Sequence, residues 1–478
     1  MINKNLYRGV VMKIIFLFLV CLFSLSLFAE QPARPERTIE EQRREIMRFG
    51  TETEIASLIQ TLRNENVSYL DEDLIEIAQN TRNRAILSGI FGFFGDRGKT
   101  GLEGRAIRAI LERDEEANET VLAAIDYLGR VNAAEAANYL QELIISGENR
   151  FLNNAFRALG RVSRGREGEA RSEEQADSIA LFLIDYYTNR RPRDEDRREI
   201  IVAIGETGSK EAIPFLDELI RNNDERAVLR MAALEAIAKT GDSDKGRDAV
   251  LFALTAADPL VRSSAVAALG PFSGEAVDRA ILDAFRDSSS GPRIGAAQAA
   301  AQRRLESAIP FLRFRVHHDD VPAVRDESIR ALGAINNEES MEILEALFFE
   351  RRHSDRVRLL SAEMLLRNAP DTYSVRIIAE MDEARARNQT PLYNGFVRLF
   401  IPVISDTLES FAKRLIATGG VIERTLALDI ILNNEFRSLE NEVRGLLDER
   451  RYGVSVARRA QSTLERLGLD LVVQAESN

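Results

Sequence analysis

All three histidines of the chain lie in one short region, and their spacing suggests shared chemistry. His317 and His318 stand in the run HHDD, which ends with Asp320, and His353 and Asp355 stand in the run HSD one repeat period later. Imidazole and carboxylate groups are common ligands of zinc and related divalent metals. A metal-dependent or lyase-like accessory enzyme with a site at these residues is therefore one hypothesis. We favour the alternative, that these are solvated residues brought together by repeat register, and we predict no metal site.

A second segment that suggests chemistry is residues 91–104, FGFFGDRGKTGLEG. Its GKT resembles the end of a phosphate-binding loop, but that loop needs Gly at the position occupied by Phe93, directly after a strand. We predict instead a kinked break between two helical units. Phe91, Phe93 and Phe94 then either pack into the core or form an apolar contact patch. Since no nucleophile–base pair or distinctive carboxylate pair is recognisable, we predict no catalytic residue and no cofactor.

The elements that must position these residues are repeated along the chain. DPLVRSSAVAALG, residues 258–270, is echoed by DVPAVRDESIRALG, residues 320–333. Apolar residues recur at the i, i+4, i+7 spacing of one helix face, and a period near 32 residues with this pattern indicates stacked helix pairs. The small residue that closes each copy is predicted to end the first helix of the pair in a turn. These closing glycines are Gly129, Gly160, Gly205, Gly270 and Gly333.

Each copy also opens in a recognisable way. Asp258 is predicted to cap the exposed amides of a helix, with Pro259 at its first position. An arginine follows Val or Leu early in the first helix, and an aspartate precedes it by three to six residues. We therefore expect a ladder of exposed Asp–Arg contacts between successive turns, serving as register marks. The arginines are Arg230, Arg262, Arg325 and Arg358, and the aspartates are Asp224, Asp258, Asp320 and Asp355.

These copies resemble HEAT repeats, in particular the short bacterial type that is also found in phycobilisome lyases. The resemblance is best over residues 118–371. It implies an all-α protein, an α-solenoid of about 12 stacked helical hairpins in a HEAT-like superhelix, with the second helices lining a concave face. It implies no particular activity. The His-Glu pairs of the hydroxylase relatives are missing, nothing identifies a bilin pocket, and an acidic chain does not fit the basic groove of the glycosylases.

The sequence divides into five predicted segments with one insertion. The insertion is charged and almost free of apolar residues, so it is predicted to be an exposed loop, with partner contact as the functional alternative. The segments are a signal peptide at 1–29, a linker at 30–37, degenerate helical repeats at 38–116, HEAT-like repeats at 117–371 with the inserted loop 163–177, and degenerate C-terminal repeats with a cap at 372–478.

The N-terminal segment has the order of a secretory signal. Lys4, Arg8 and Lys13 precede sixteen uncharged residues, which is short for a membrane span, and we predict cleavage near Ala29. The protein is then exported, periplasmic or secreted, and the mature chain lacks the single cysteine, Cys21, and any membrane span. The alternative is an uncleaved leader that tethers a structural part of the envelope to the inner membrane.

Charge and composition favour a protein or peptide partner. The formal net charge is −12 and the chain lacks Trp, so a nucleic-acid partner is not expected. The predicted exposed residues of the second helices are mixed in sign, which suits a protein surface. The leading hypothesis is therefore an exported, non-catalytic binding scaffold. These residues are Glu142, Asp217, Glu218, Arg221, Arg313, Arg315 and Glu345.

Overall fold

A computed structural model describes residues 38–65, 67–166, 172–190, 192–241 and 243–469, and every regular element in these ranges is helical. The predicted signal peptide, its cleavage position near Ala29 and the linker lie outside the described residues. None of the described helices is both long enough and apolar enough to cross a membrane.

The helices belong to two compact units, one ending at Gln175 and the other starting at Ala176. The first unit contains α1 (Ile39–Phe49), α2 (Glu52–Glu65), α3 (Asp71–Asn80), α4 (Arg84–Asp96), α5 (Glu103–Leu111), α6 (Asn118–Arg130), α7 (Ala137–Ser146) and α8 (Asn149–Val162). Helix α9 (Glu173–Asn189) crosses the boundary residue. The segment boundaries at 116 and 371 stay predictions.

The second unit continues with hairpins of similar length. Its helices are α10 (Asp194–Thr207), α11 (Ile213–Arg221), α12 (Ala227–Lys239), α13 (Asp244–Ala253), α14 (Pro259–Ala268), α15 (Glu275–Ala284), α16 (Ser290–Arg303), α17 (Ile309–His318), α18 (Pro322–Ile335), α19 (Glu338–Phe349), α20 (Asp355–Asn368), α21 (Pro370–Ala386), α22 (Thr390–Leu399), α23 (Leu408–Thr418), α24 (Val421–Asn434), α25 (Glu440–Gly445), α26 (Glu449–Tyr452) and α27 (Val454–Arg466).

The first helices of successive hairpins pack against one another within each unit. In the second unit this row runs through α10, α12, α14, α16, α18, α20, α22 and α24 to α27; in the first unit it runs from α2 through α4 and α6 to α8. The Ala-rich face of α16 buries Ala296, Ala297 and Ala300, and small side chains let helices approach to about 8–10 Å. Each hairpin therefore buries its apolar side against its neighbours, and the prediction of an all-α solenoid is confirmed.

The closing glycines have a different role from the one predicted. Gly129, Gly160, Gly205 and Gly333 lie inside α6, α8, α10 and α18 and do not end them in a turn. A Cβ atom on Gly205 would lie 2.6 Å from the Cα atom of Ala236 in α12. The turn prediction was wrong for these four glycines, and at Gly129 and Gly205 the missing side chain permits close contact between successive first helices.

The actual left-handed helix ends come a few residues later. Gly208 (φ 59°) ends α10 and Asn336 (φ 53°) ends α18, while Gly270 follows α14 without a positive φ. The start signal behaves as predicted: the Asp258 carboxylate accepts a hydrogen bond from the Leu260 amide at 2.8 Å, with Pro259 in the first turn.

The predicted inserted loop is shorter and less exposed than its composition suggested. Helix α9 starts at Glu173, so the last five residues of 163–177 are helical. At the other end Ser163 is buried, and Arg166 forms an ion pair with Glu135 at 2.7 Å. Residues 167–171 of this prediction lie outside the described residues.

The predicted break at residues 91–104 begins later than expected. Helix α4 continues to Asp96 and buries Phe91, Phe93 and Phe94. The core alternative is therefore right, and the contact-patch alternative is wrong. The lysine of the GKT run, Lys99, forms an ion pair with the buried carboxylate of Asp71.

Candidate binding surface

A ladder of buried arginines joins successive hairpins. Arg293, near the start of α16, donates from Nε and Nη2 to the two carboxylate oxygens of Asp319 at 2.8 and 2.9 Å. Its Nη1 donates to the backbone oxygens of Asp287 and Ser288. Asp319 directly follows α17, so this bidentate pair connects the first helix of one hairpin to the loop that begins the next.

Ion pairs between a first-helix arginine and a later acid recur in other hairpins. Arg262 pairs with Asp287 at 2.8 Å, and Arg358 donates from Nη2 to Glu380 at 2.8 Å. In these pairs the acid lies 22 to 26 residues after the arginine.

The acids predicted for this ladder were the wrong ones. Within the described ion pairs, Asp224, Asp258, Asp320 and Asp355 do not partner the arginine of their own copy. Arg262, Arg293 and Arg358 instead reach acids that follow them in the chain. Arg325 donates to the backbone oxygen of Asp319 at 2.6 Å, and Arg230 donates to that of Ile220 at 3.0 Å. The contacts are also more buried than expected, since the Asp319 side chain is fully enclosed. The sequence feature that could have identified the correct partner is an acidic residue close to 25 positions after the arginine.

Several predicted surface residues are engaged within the chain. Glu345 accepts hydrogen bonds from Tyr373 Oη at 2.6 Å and from Arg376, and Arg315 forms an ion pair with Asp319 at 3.3 Å. These two residues position neighbouring helices, so the prediction of a free surface role for them is corrected.

The other predicted surface residues lie at the surface with mixed charge. Glu142, Glu218 and Arg313 are exposed, and Arg221 pairs with Asp217 at 2.7 Å within α11.

Successive second helices are bridged by cations stacked on aromatic rings. The guanidinium of Arg221 lies 4.6 Å from the ring centre of Phe252, which places α11 on α13, and that of Arg376 lies 4.4 Å from Phe349, which places α21 on α19. Arg286 similarly lies 5.2 Å from Phe311 at the start of α17. Such contacts hold large flat side chains at the surface in fixed positions.

Exposed apolar side chains accompany these stacks. Phe314 on α17 is 53% exposed and Val375 on α21 is 62% exposed. We call this set the second-helix face: Arg221, Phe252, Arg286, Phe311, Phe314, Phe349, Val375 and Arg376. Sequence reasoning missed its aromatic members, although each stands outside the buried apolar stripe of its helix.

The three histidine side chains lie near one another but have different contacts. The rings of His317 and His353 lie 5.5 Å apart, His353 Nε2 lies 3.4 Å from a carboxylate oxygen of Glu350, and the His318 ring packs against Phe314. Partial burial, followed by the positive charges of His353 and His318 when protonated, lowers the pKa of His317.

The five candidate ligands do not form one site. Asp320 and Asp355 are exposed, and among the described residues neither forms a hydrogen bond or ion pair with a histidine. In the part of the chain that the structure describes, no group of three or more His, Cys, Asp or Glu side chains is arranged to hold a metal ion.

Comparison with known proteins identifies the repeat type. A family model described as Spirochaete HEAT repeat protein matches residues 47–463. No curated protein matches the chain in sequence.

Similar solved structures are distant. The karyopherin Kap121p, bound to the extreme C-terminus of the protein phosphatase Cdc14p, is 12% identical with a TM-score of 0.42; the match covers 98% of this chain and 57% of that one. Importin beta is 12% identical with a TM-score of 0.39, covering 90% and 76%. Human deoxyhypusine hydroxylase is 18% identical with a TM-score of 0.24, covering 59% and 96%. The chain thus spans little more than half the length of Kap121p.

Proposed function

We propose that this chain, which belongs to the Spirochaete HEAT repeat protein family, is a scaffold that binds a protein or peptide partner on its second-helix face in the cell envelope. The observation that carries the proposal is the series of arginine–aromatic stacks between successive second helices, exemplified by Arg221 on Phe252 and Arg376 on Phe349.

The chemistry of this face favours a protein partner. Arginine and aromatic residues are enriched where proteins bind one another. Aromatic rings bury much area with little loss of side-chain freedom, and arginine adds several hydrogen-bond donors. The stacked arginines are already fixed by their rings, so binding costs less conformational entropy. Exposed acids such as Glu218 and Asp283 lie among these cations, which suits a polypeptide of mixed charge better than a polyanion.

Export to the envelope is the second part of the proposal, and its support is the basic and apolar N-terminal segment of the sequence. Fractionation of cells tests it directly. A soluble envelope pool with a shortened N-terminus agrees with cleavage, whereas a membrane pellet with the leader intact agrees with the tethered alternative. A cytoplasmic pool with the leader intact contradicts export.

Site-specific photo-crosslinking tests the binding face. A photoreactive phenylalanine analogue replaces Phe314 or Val375 in the full chain expressed in its own cells. The matched control replaces Leu260, which is 60% exposed but lies at the start of the first helix α14. We expect one discrete crosslinked product from positions 314 and 375 and none from position 260. Equal crosslinking at all three positions, or crosslinking at 260 alone, contradicts the proposed face.

A further inference from the structure

Arg230 is a buried ladder arginine that forms no ion pair with any carboxylate of the described residues. It lies in α12 and is only 5% exposed. Its Nε donates to the backbone oxygen of Ile220 at 3.0 Å, and its Nη2 is buried with no hydrogen-bond partner among the described residues. Leaving a buried charged donor unsatisfied is costly, so this nitrogen points to a missing group.

The hairpin around Arg358 shows which group is missing. Arg358 Nε also donates to a backbone oxygen ten residues earlier, that of Phe348, at 2.9 Å. There, however, Nη2 donates to the Glu380 carboxylate at 2.8 Å. Glu380 lies 22 residues after its arginine, and the residue at the same separation from Arg230 is Phe252. The two arginines thus share the hydrogen bond to the preceding helix, but only Arg358 has an acid of its own.

A cavity of about 420 Å³ lies beside Arg230. Phe252, Ala256 and Ala257 contribute apolar walls, and Thr255 contributes a hydroxyl. The carboxylates that also line the cavity, Glu225 and Asp258, are engaged elsewhere.

Glu225 pairs with Arg197 at 2.5 Å, and Asp258 accepts from the Leu260 amide at 2.8 Å. Neither carboxylate bonds to Arg230 among the described contacts, so the Nη2 donor of the Arg230 guanidinium still lacks an acceptor.

We propose that this cavity binds an aspartate or glutamate side chain of the partner, which supplies the missing carboxylate of the ladder. The fork of a guanidinium matches a carboxylate in geometry and charge, and the apolar walls fit the methylene groups that carry it. Phe252 belongs to the second-helix face, so the cavity opens beside the surface already described. This inference rests on the proposed function and specifies the chemistry of one partner residue.

The test uses two blocked tripeptides, acetyl-Ala-Glu-Ala-amide and its twin with Gln in place of Glu, titrated into the full chain and followed by NMR. Arg230→Gln removes the cation. Phe252→Glu supplies an internal carboxylate at the position that corresponds to Glu380. The matched control is Ile422→Glu, which adds the same charge at an exposed apolar residue of the first helix α24, outside the second-helix face.

We expect the Glu peptide to bind wild type and Ile422→Glu at least about tenfold more tightly than the Gln peptide. Phe252→Glu and Arg230→Gln should lose this preference. If Arg230→Gln fails to fold, Phe252→Glu alone decides the outcome. Equal binding of the two peptides to wild type, or an undiminished preference in folded Phe252→Glu, overturns the inference. Because the peptide titration needs no partner protein, crosslinking at position 314 that persists alongside such a failure would leave the scaffold proposal standing.

Discussion

Arg293 and Asp319 are 26 residues apart in the sequence and form a buried, two-pronged ion pair, with nitrogen–oxygen distances of 2.8 and 2.9 Å. Asp319 also accepts a hydrogen bond from the Val321 amide at 3.0 Å, near the start of the next first helix. One carboxylate therefore fixes two successive hairpins relative to each other. The ladder to which this pair belongs sets the register of the stack.

Breaking this pair should strongly destabilise the two hairpins that it joins. Asp319→Asn leaves the Arg293 cation buried without its counter-charge, and we expect a loss of about 3–5 kcal/mol in the free energy of unfolding. Urea denaturation followed by circular dichroism measures it. Glu275→Gln, which removes the exposed pair with Arg279, is the matched control and should change little. Equal effects of the two substitutions would contradict a structural role for the ladder.

Acid should weaken the same contact. Burial alone would raise the pKa of Asp319, but hydrogen bonds from Arg293 and the Val321 amide outweigh it and hold the pKa below its usual value. A carboxyl with a lowered folded pKa stabilises the protein above its unfolded pKa of about 4, and this contribution disappears as pH falls through the folded value. Thermal midpoints of wild type and Asp319→Asn should therefore converge between pH 5 and about pH 2. A constant difference over this range would show that the carboxylate charge is not what stabilises the contact.

His317 should give a weaker pH dependence with its onset nearer neutrality. Its lowered pKa means that the folded protein prefers the neutral imidazole. The stabilisation is complete above the unfolded pKa of about 6.5 and is lost as pH falls through the lower folded value. His317→Gln should therefore reduce the fall in thermal midpoint between about pH 7.5 and 5. An unchanged or steeper fall in the variant would mean that His317 does not resist protonation.

The glycines inside the first helices should be intolerant of any side chain. Gly205→Ala places a methyl group 2.6 Å from the Cα atom of Ala236, so α10 and α12 must separate, at a cost of about 1–3 kcal/mol. Gly445 in α25 has no neighbouring atom within 4 Å of such a methyl group. Gly445→Ala should therefore be neutral or slightly stabilising, since alanine favours helix. Urea midpoints compare the two, and a Gly205→Ala variant as stable as wild type would refute the close-approach interpretation.

The helical fold was predictable because local signals carry it. The Ala-rich stripe and the start at Asp258-Pro259 are contained within one copy, and the period near 32 residues shows that such copies recur along the chain. Contacts between copies were harder to predict from the sequence. The partner of Arg262 is Asp287 and not the nearer Asp258, because Asp258 caps its own helix while the arginine extends toward the next hairpin. Likewise, the sequence near Gly205 predicts a turn, because the residues of one copy do not show that Ala236 of the next copy packs against Gly205.

The general character of the candidate surface was predicted from the sequence, but the contacts of its individual residues were not. Mixed charge on the second helices was visible in the sequence, and Glu218 and Arg313 are indeed exposed. That Glu345 is held by Tyr373 and Arg376 depends on the packing of α19 against later residues, which no single copy specifies.

The central claim is that each hairpin is stabilised by its immediate neighbours, and amide hydrogen exchange of Asp319→Asn tests it most directly. In a stack of this kind, damage at one interface spreads only to adjacent repeats. We predict that α16, α17 and α18 lose protection while α24 and α27 keep the protection they have in wild type. A uniform loss throughout the second unit would contradict the account.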